Sequence, residues 1–200
     1  MVLAYLVNQV NTPLMLKKQK AYPVKGSSEI LSGRDEGKTL AQVVLNHLEE
    51  LEPDSILPLD LSDVKFIDFS CADEFLTKII RRIISGELGT RFILLQGMSV
   101  NVEENFSAVF KIRELVCPKT SKGGKVELLG RVGAELAETY MLAAKKGKIT
   151  ASDVRAIAPR VGLSAISNRL TRLYKMRLLM RVKEVGVETG GRQFVYVPVG

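Results

Sequence analysis

Two short apolar runs, separated by an amphipathic stretch of helical length, constrain the fold of this chain most. The run at residues 91–96 reads Arg-Phe-Ile-Leu-Leu-Gln, and its unbroken apolar centre is typical of a strand buried on both faces, as in a parallel sheet. The run at residues 56–61 has leucines at alternate positions, which therefore share one face. Pro58 within it favours a place near the sheet edge or at the strand start, because proline lacks the N–H that a ladder uses.

Amphipathic helices are predicted around these strands. Apolar residues recur at helical spacing over residues 35–51, 71–85 and 101–115. The resulting order of helix, strand, helix, strand and helix predicts an α/β domain over residues 29–117, with right-handed crossovers. Residues 1–28 precede it, and their short apolar runs indicate either strands or an extension that packs on a neighbouring molecule.

Residues 118–124 combine proline, glycines and small polar residues, which predicts a linker. Beyond it, residues 125–200 are expected to form an α+β domain. Its first helix is predicted over residues 126–146. Two β-rich runs close the chain, and the Gly190–Gly191 pair between them is typical of a tight hairpin turn.

Two shorter helices are predicted between the first helix and the hairpin. Either Thr150 or Ser152 caps the first of them, which runs to Ala158. Residues 159–162 form a turn, and Ser164 can cap the second, longer helix, which runs to about residue 177.

The net charge along the chain changes sign at the predicted linker. The formal net charge is +7, but residues 1–28 carry four lysines and no acid, and residues 29–118 carry 9 basic and 16 acidic residues. Residues 119–200 carry 16 basic and 6 acidic residues. A basic excess attracts polyanions, so the C-terminal third is expected to meet nucleic acid and the acidic middle a different partner.

The C-terminal third carries a recognisable apolar pattern. It comprises Ile149, Val154 and Ala158, then Gly162, Leu163 and Ser164 at the turn, then Ile166, Leu170, Leu173, Leu178 and Leu179. With its element order, this pattern resembles winged helix-turn-helix transcriptional regulators over most of residues 126–199. The resemblance implies that the longer helix enters the DNA major groove and that the hairpin serves as a wing.

One face of the longer helix suits a major groove. At about 100° per residue, Ile166, Leu170 and Leu173 form the core face. The opposite face carries five hydrogen-bonding or cationic side chains: Ser164, Asn168, Thr171, Arg172 and Lys175. No acid occurs between Asp153 and Glu184. Such a mixture supplies contacts to both base edges and phosphates, which favours DNA binding. The alternative is a basic helix surface that contacts only solvent.

Individual contacts follow from these side chains. Asn168 is the residue best suited to a base, since asparagine pairs bidentately with adenine, whereas Ser164 favours a capping role. Arg155 and Arg160 are expected to flank the groove. Arg192, at the predicted hairpin tip, is placed for a phosphate or the minor groove.

The acidic middle carries a second pattern. Residues 57–70 read Leu-Pro-Leu-Asp-Leu-Ser-Asp-Val-Lys-Phe-Ile-Asp-Phe-Ser, and the Cys-Ala-Asp-Glu-Phe run at 71–75 follows. Together with residues 92–99 and 101–115, they resemble STAS domains, the sulfate-transporter and anti-sigma-factor-antagonist modules, in their divergent STAS-like branch. The resemblance covers roughly residues 29–116 and implies an α/β module that receives a protein or ligand signal.

Asp68 and Ser70 are the candidate regulatory or partner site of this module. In phosphorylated members of the family, the serine or threonine directly follows the aspartate, whereas here Phe69 does, so that regulation does not carry over. Ser70 is either the helix N-cap, which is favoured, or a phosphorylation site at a helix N-terminus. Cys71 is either a reactive thiol or a small buried residue, the latter being favoured.

Several classes are disfavoured. Two cysteines and one histidine supply neither a disulfide framework nor a zinc site. No apolar run approaches the roughly 18 residues of a membrane span, and the N-terminus lacks signal-peptide features, so a cytoplasmic protein without a cofactor is expected. The run Gly33–Thr39 is one residue short of a phosphate-binding loop, and no nucleophile elbow occurs, so no enzymatic activity is expected.

The sequence therefore predicts a dimeric DNA-binding regulator, in which the STAS-like part receives a signal and the winged helix binds duplex DNA. Dimerisation is expected because two half-sites multiply the affinity of one small reader. The alternative is an adaptor or scaffold whose basic third docks an acidic protein.

Overall fold

The computed structural model describes residues 16–121, 123–183 and 194–200, which form a mixed α/β protein. The strands are β1 (Lys17–Lys18), β2 (Tyr22–Pro23), β3 (Ile30–Leu31), β4 (Ser55–Asp60), β5 (Phe66–Ile67), β6 (Arg91–Gln96), β7 (Val116–Thr120), β8 (Val126–Gly130), β9 (Leu179–Lys183) and β10 (Phe194–Pro198). The helices are α1 (Arg34–Glu50), α2 (Phe69–Ala72), a π-helical turn (Asp73–Thr77), α3 (Lys78–Ser85), α4 (Val100–Arg113), α5 (Ala134–Lys146), α6 (Ala151–Ile157) and α7 (Leu163–Lys175). The expected combination of a sheet with several helices is confirmed.

The main sheet has the order β1-β4-β6-β7-β8, and β2 also pairs with β4. Its neighbours are parallel except β8, which runs antiparallel to β7. Leu57, Leu59, Ile93 and Leu95 lie on one face and belong to the large core that α1, α3 and α4 complete. The alternate residues of β4 and β6 face the other way, toward the C-terminal third.

Pro58 lies in the middle of β4, which is next to the edge of the sheet and pairs on both sides. The carbonyls of Ile56 and Asp60 accept hydrogen bonds from the N–H groups of Gln19 and Val24. Pro58, two residues from each, therefore turns its missing N–H toward that same neighbour. The neighbouring strand is interrupted there, between β1 and β2. A gap in the partner strand tolerates the proline in the sheet interior.

The predicted linker at residues 118–124 begins within the sheet. Residues 118–120 belong to β7, which pairs with β8 from Val116↔Gly130 to Thr120↔Val126. The helix predicted over residues 126–146 accordingly begins only at Ala134. Gly130 explains the difference, because its φ is +104° and a Cβ there would lie 2.2 Å from the Leu115 carbonyl oxygen. Only glycine fits this close backbone approach.

The C-terminal third builds a second core around α5, α6 and α7, which includes the buried side chains of Tyr140, Ile149, Ile166 and Leu170. The phenol of Tyr140 donates a 2.7 Å hydrogen bond to the Val199 carbonyl. β9 and β10 pair antiparallel, and an isolated bridge joins Ile149 to Tyr196. The Gly190–Gly191 turn lies outside the described residues.

A third cluster joins the two parts of the chain. Ile56, Phe92 and Leu94 of the main sheet pack with Met180 of β9 and with Val199; Leu16 and Val182 pack against them. The C-terminal hairpin thus covers the sheet face that α1, α3 and α4 leave open. The residues on either side of the expected domain boundary share both a sheet and a core.

Candidate nucleic-acid interface

The structure brings the five predicted side chains of α7 to one face of that helix. Ser164, Asn168, Arg172 and Lys175 are exposed, and Thr171 is half-buried. On the opposite face, Ile166, Leu170 and Leu173 are fully buried in the second core. The face is therefore presented to solvent by a helix whose other side is locked by packing.

Local contacts hold α7 in position. Gly162 occupies the N-cap position, and no side chain caps the helix. The predicted capping role of Ser164 is wrong, because the helix begins one residue earlier, at Leu163, and places Ser164 within the first turn. Arg169 anchors the middle of α7 to α5, since its Nη2 lies 3.0 Å from Glu135 Oε1.

Arg155 and Arg160 lie on α6 and in the turn that follows, and both are exposed. Neither they nor Arg172 and Lys175 form an ion pair with any residue that the structure describes. Uncompensated cations with solvated head groups attract an incoming phosphate backbone. Arg192 lies outside the described residues.

A cation–aromatic stack beside α7 was not expected from the sequence. The Arg181 guanidinium lies 4.6 Å from the ring centroid of Tyr174 and 4.4 Å from that of Phe194. Arg177 lies 5.9 Å from the same tyrosine ring. In the sequence, only the alternation of residues along β9 pointed to this stack. That alternation identifies the stack only when the register of the hairpin, with Phe194 opposite Lys183, is known. Such stacking orients a guanidinium while leaving it charged.

α6 starts at a capping box that decides between Thr150 and Ser152 in favour of Thr150. The Asp153 N–H donates to Thr150 Oγ1 at 3.2 Å, and the Thr150 N–H donates to Asp153 Oδ2 at 2.8 Å. Lys146 Nζ lies 2.9 Å from Asp153 Oδ1. Hydrogen bonds from Lys146 and Thr150 lower the pKa of Asp153 from 3.8 to about 2. This carboxylate therefore ties α5 to α6.

Protonation of Asp153 at low pH is expected to weaken its contacts with Lys146 and Thr150. The folded pKa of Asp153 is depressed, so its contribution to stability is present above the ordinary value of 3.8 and is lost as the pH falls toward about 2. Asp153→Asn should lower the thermal midpoint at neutral pH and flatten its fall between about pH 4 and about pH 2. Circular dichroism melts measure both, and an unchanged acid slope in the variant would contradict the assignment.

Asp68 joins the starts of α1 and α2. Its Oδ1 accepts from the Cys71 N–H at 2.7 Å, and its Oδ2 accepts from the Gly33 N–H at 2.8 Å. Burial alone would raise its pKa, but the hydrogen bonds from Cys71, Gly33 and Ser70 hold the pKa below the ordinary value. Asp68 is therefore an ionised N-cap that stabilises two helices at once.

The favoured capping role of Ser70 is wrong, because Asp68 is the N-cap of α2. Ser70 Oγ instead donates to Asp68 Oδ1 at 2.9 Å. A phosphate on this hydroxyl would meet the Asp68 carboxylate and would replace that hydrogen bond by repulsion. Cys71 is fully buried, and burial with the neighbouring carboxylates raises its pKa to about 12, which confirms the interpretation as a small buried residue.

An exposed apolar surface surrounds Asp68. Ile30 pairs with Phe66 across β3 and β5, and these side chains are 57% and 40% exposed. Phe69, which directly follows Asp68, is 38% exposed. Adjacent apolar side chains of this size on a surface are a common feature of protein-binding sites.

The segment Gly33–Thr39 forms the first turns of α1 rather than an open loop. Glu36 Oε1 accepts from the Ser27 N–H, and its Oε2 accepts from the Ser32 N–H. The Gly33 N–H is bound by Asp68. A carboxylate thus occupies the first backbone donor of this segment, which a phosphate would need.

Comparisons with known proteins found no matching protein family, no matching curated protein and no matching solved structure. Among the described residues, no helix combines the length and apolar character needed to cross a membrane. What the chain does is therefore inferred from its own side chains and their geometry.

Proposed function

We propose that this protein is a cytoplasmic DNA-binding regulator of transcription, whose C-terminal third is a winged helix and whose acidic part is a STAS-like domain. The observation that carries the proposal is the exposed face of α7. There, Asn168, Arg172 and Lys175 stand in solvent, opposite a fully buried face of the same helix. Amide and guanidinium groups on a rigid helix suit the base edges and phosphates of a major groove.

The element order supports a winged helix. It runs α5, the bridging residue Ile149, α6, α7 and the β9–β10 hairpin, and residues 158–162 separate α6 from α7. In winged helices, a helix in the position of α7 is the reading helix and the hairpin lies at its side. Arg155 and Arg160, on the flank of this surface, form no ion pair within the described part of the chain.

The acidic part is proposed to receive the signal. The series β4, α2, β6 and α4 is compatible with a STAS-like module. Ile30, Phe66 and Phe69 offer apolar contact area around Asp68, which suits a protein partner better than a small polar ligand. The acidic part also contacts the C-terminal hairpin directly, in the shared cluster of Ile56, Phe92 and Met180.

A homodimer is part of the proposal. One α7 helix has few side chains for base contacts, so two copies on adjacent half-sites would raise affinity without new contact types. Sedimentation with and without duplex DNA measures the stoichiometry. One protomer per duplex at saturation would contradict the dimer.

A salt titration tests DNA binding. The purified full chain is mixed with a fluorescein-labelled duplex, and anisotropy gives the association constant between about 50 and about 200 mM salt. Binding should weaken steeply as salt rises, since each neutralised phosphate contributes about −0.9 to the logarithmic slope. Absence of duplex binding at low salt would overturn the proposal and favour the adaptor that docks an acidic protein.

A further inference from the structure

We propose that Lys18, on the β1 edge of the main sheet, contacts the same DNA duplex as α7, so that both parts of the chain bind the phosphate backbone. The proposal rests on the proposed function. The DNA-binding surface around α7 gives no role to the basic N-terminal segment, and this proposal assigns one to it. The predicted ligand group is a backbone phosphate, and the contact is independent of sequence.

The charge of this edge is uncompensated. Lys17, Lys18 and Lys20 are exposed, and none forms an ion pair with another residue in the described part of the chain. Residues 1–28 contain no acid. Lysines on an edge strand also discourage edge-to-edge aggregation, so charge alone does not select a DNA contact.

The register of β1 distinguishes Lys18 from its neighbour. Lys18 pairs with Ile56, and Lys17 pairs with Ser55. Ile56 belongs to the cluster beneath the C-terminal hairpin, and Leu16 packs against the same cluster. Because side chains alternate along a strand, Leu16 and Lys18 lie on the hairpin side of the sheet, and Lys17 lies on the side of the helices.

The hairpin brings the proposed DNA surface toward this edge. Leu178, just before β9, borders a small cavity with Phe92 of β6 and Val116 of β7. Val182, near the other end of β9, packs with Leu16 against the shared cluster. β9 therefore extends from this cavity to the cluster that Leu16, directly before β1, also contacts.

Arg181 lies between these two contacts on the opposite face of β9. It is exposed, and it is stacked on Tyr174 of α7. Arg181 is therefore an exposed cation next to α7, and Lys18 is an exposed cation of β1 on the side of the sheet that the hairpin covers. Exposed cations on the same side of one sheet favour a single polyanion over separate ligands.

Neighbouring lysines provide the matched comparison. Lys18→Gln and Lys17→Gln remove the same charge from the same strand, on opposite faces. In salt titrations of duplex binding, Lys18→Gln should reduce the magnitude of the logarithmic salt slope by about 0.9 and weaken binding equally for unrelated sequences. Lys17→Gln should keep the wild-type slope, and Lys18→Arg should restore it.

Each outcome separates this proposal from the proposed function. If wild type binds duplex DNA and Lys18→Gln keeps the wild-type slope, the contact at β1 is overturned and the function of α7 stands. If the Lys17 and Lys18 variants lose the same amount of salt slope, the proposal is also overturned, because an equal loss reports net charge rather than the position of the lysine. If wild type binds no duplex, the proposed function fails and the contact fails with it. Both lysines are exposed, so melts should confirm unchanged stability within about 0.5 kcal/mol.

Discussion

Asn168→Ala combined with Arg172→Ala should weaken duplex binding by more than an order of magnitude. Each exposed side chain that contacts a base or phosphate contributes about 1–3 kcal/mol on truncation. The double change is therefore expected to raise the dissociation constant by a factor of roughly 30 to 20,000. Both positions lie on the solvent face of α7, so the fold should be unaffected. Anisotropy with labelled duplex at constant salt measures the loss.

A control variant separates this effect from loss of charge. Arg81→Ala with Lys111→Ala removes two exposed cations from α3 and α4, in the helix layer on the other face of the sheet. This control should bind DNA with an affinity close to that of wild type, after the small change expected from net charge. If the α7 variant binds like wild type, or if the control loses binding equally, α7 is not the reading helix.

Phe92→Ala should destabilise the whole described fold in one step. Phe92 is 1% exposed and packs in the cluster that joins the main sheet to Met180 and Val199. Truncating a buried phenylalanine typically lowers the free energy of unfolding by about 3–5 kcal/mol. Because the cluster belongs to both parts of the chain, they are expected to unfold together.

Two probes test that cooperativity in a urea titration. Tyr140, Tyr174 and Tyr196 place much of the tyrosine fluorescence in the C-terminal third, whereas far-ultraviolet circular dichroism reports the helices of both parts. Coincident transitions in wild type and variant are expected. The exposed Val100, truncated to alanine, serves as the control and should change stability by about 0.5 kcal/mol or less. Separate transitions would show that the two parts fold independently.

Elements with a strong local signal were predicted well. The run at 91–96 is the buried strand β6, as its apolar centre indicated. The alternation of Ile166, Leu170 and Leu173 with polar residues identified both faces of α7. These features depend on residues within two turns of one another, so the sequence contains all the information that specifies them.

Helix ends were predicted less accurately. Ser70 and Ser164 have the residue type of a cap, yet Asp68 and Gly162 occupy the N-cap positions. The Asp68 carboxylate also binds the distant Gly33 N–H. A contact across 35 positions adds to the local preference, and no local pattern contains it.

Strand pairing accounts for the other differences. Residues 126–130 were expected to begin a helix, but the free edge of β7 offers them hydrogen bonds, and Gly130 fits against Leu115. Pro58 was expected near the sheet edge or at the strand start; it lies in the middle of the second strand, where the gap between β1 and β2 accommodates it.

The sequence by itself determined many of the segments of this protein: most of its helices, the strands β4 and β6, the basic face of α7 and the division of charge along the chain. Those properties arise from periodicity and side-chain type, which act over a few residues. Only the tertiary structure decided that the two parts share a sheet, that Arg181 stacks on Tyr174, and that Lys18 lies on the hairpin side of β1. Such relations depend on which distant backbone groups satisfy one another and which apolar faces cover one another, and these are settled when the chain packs.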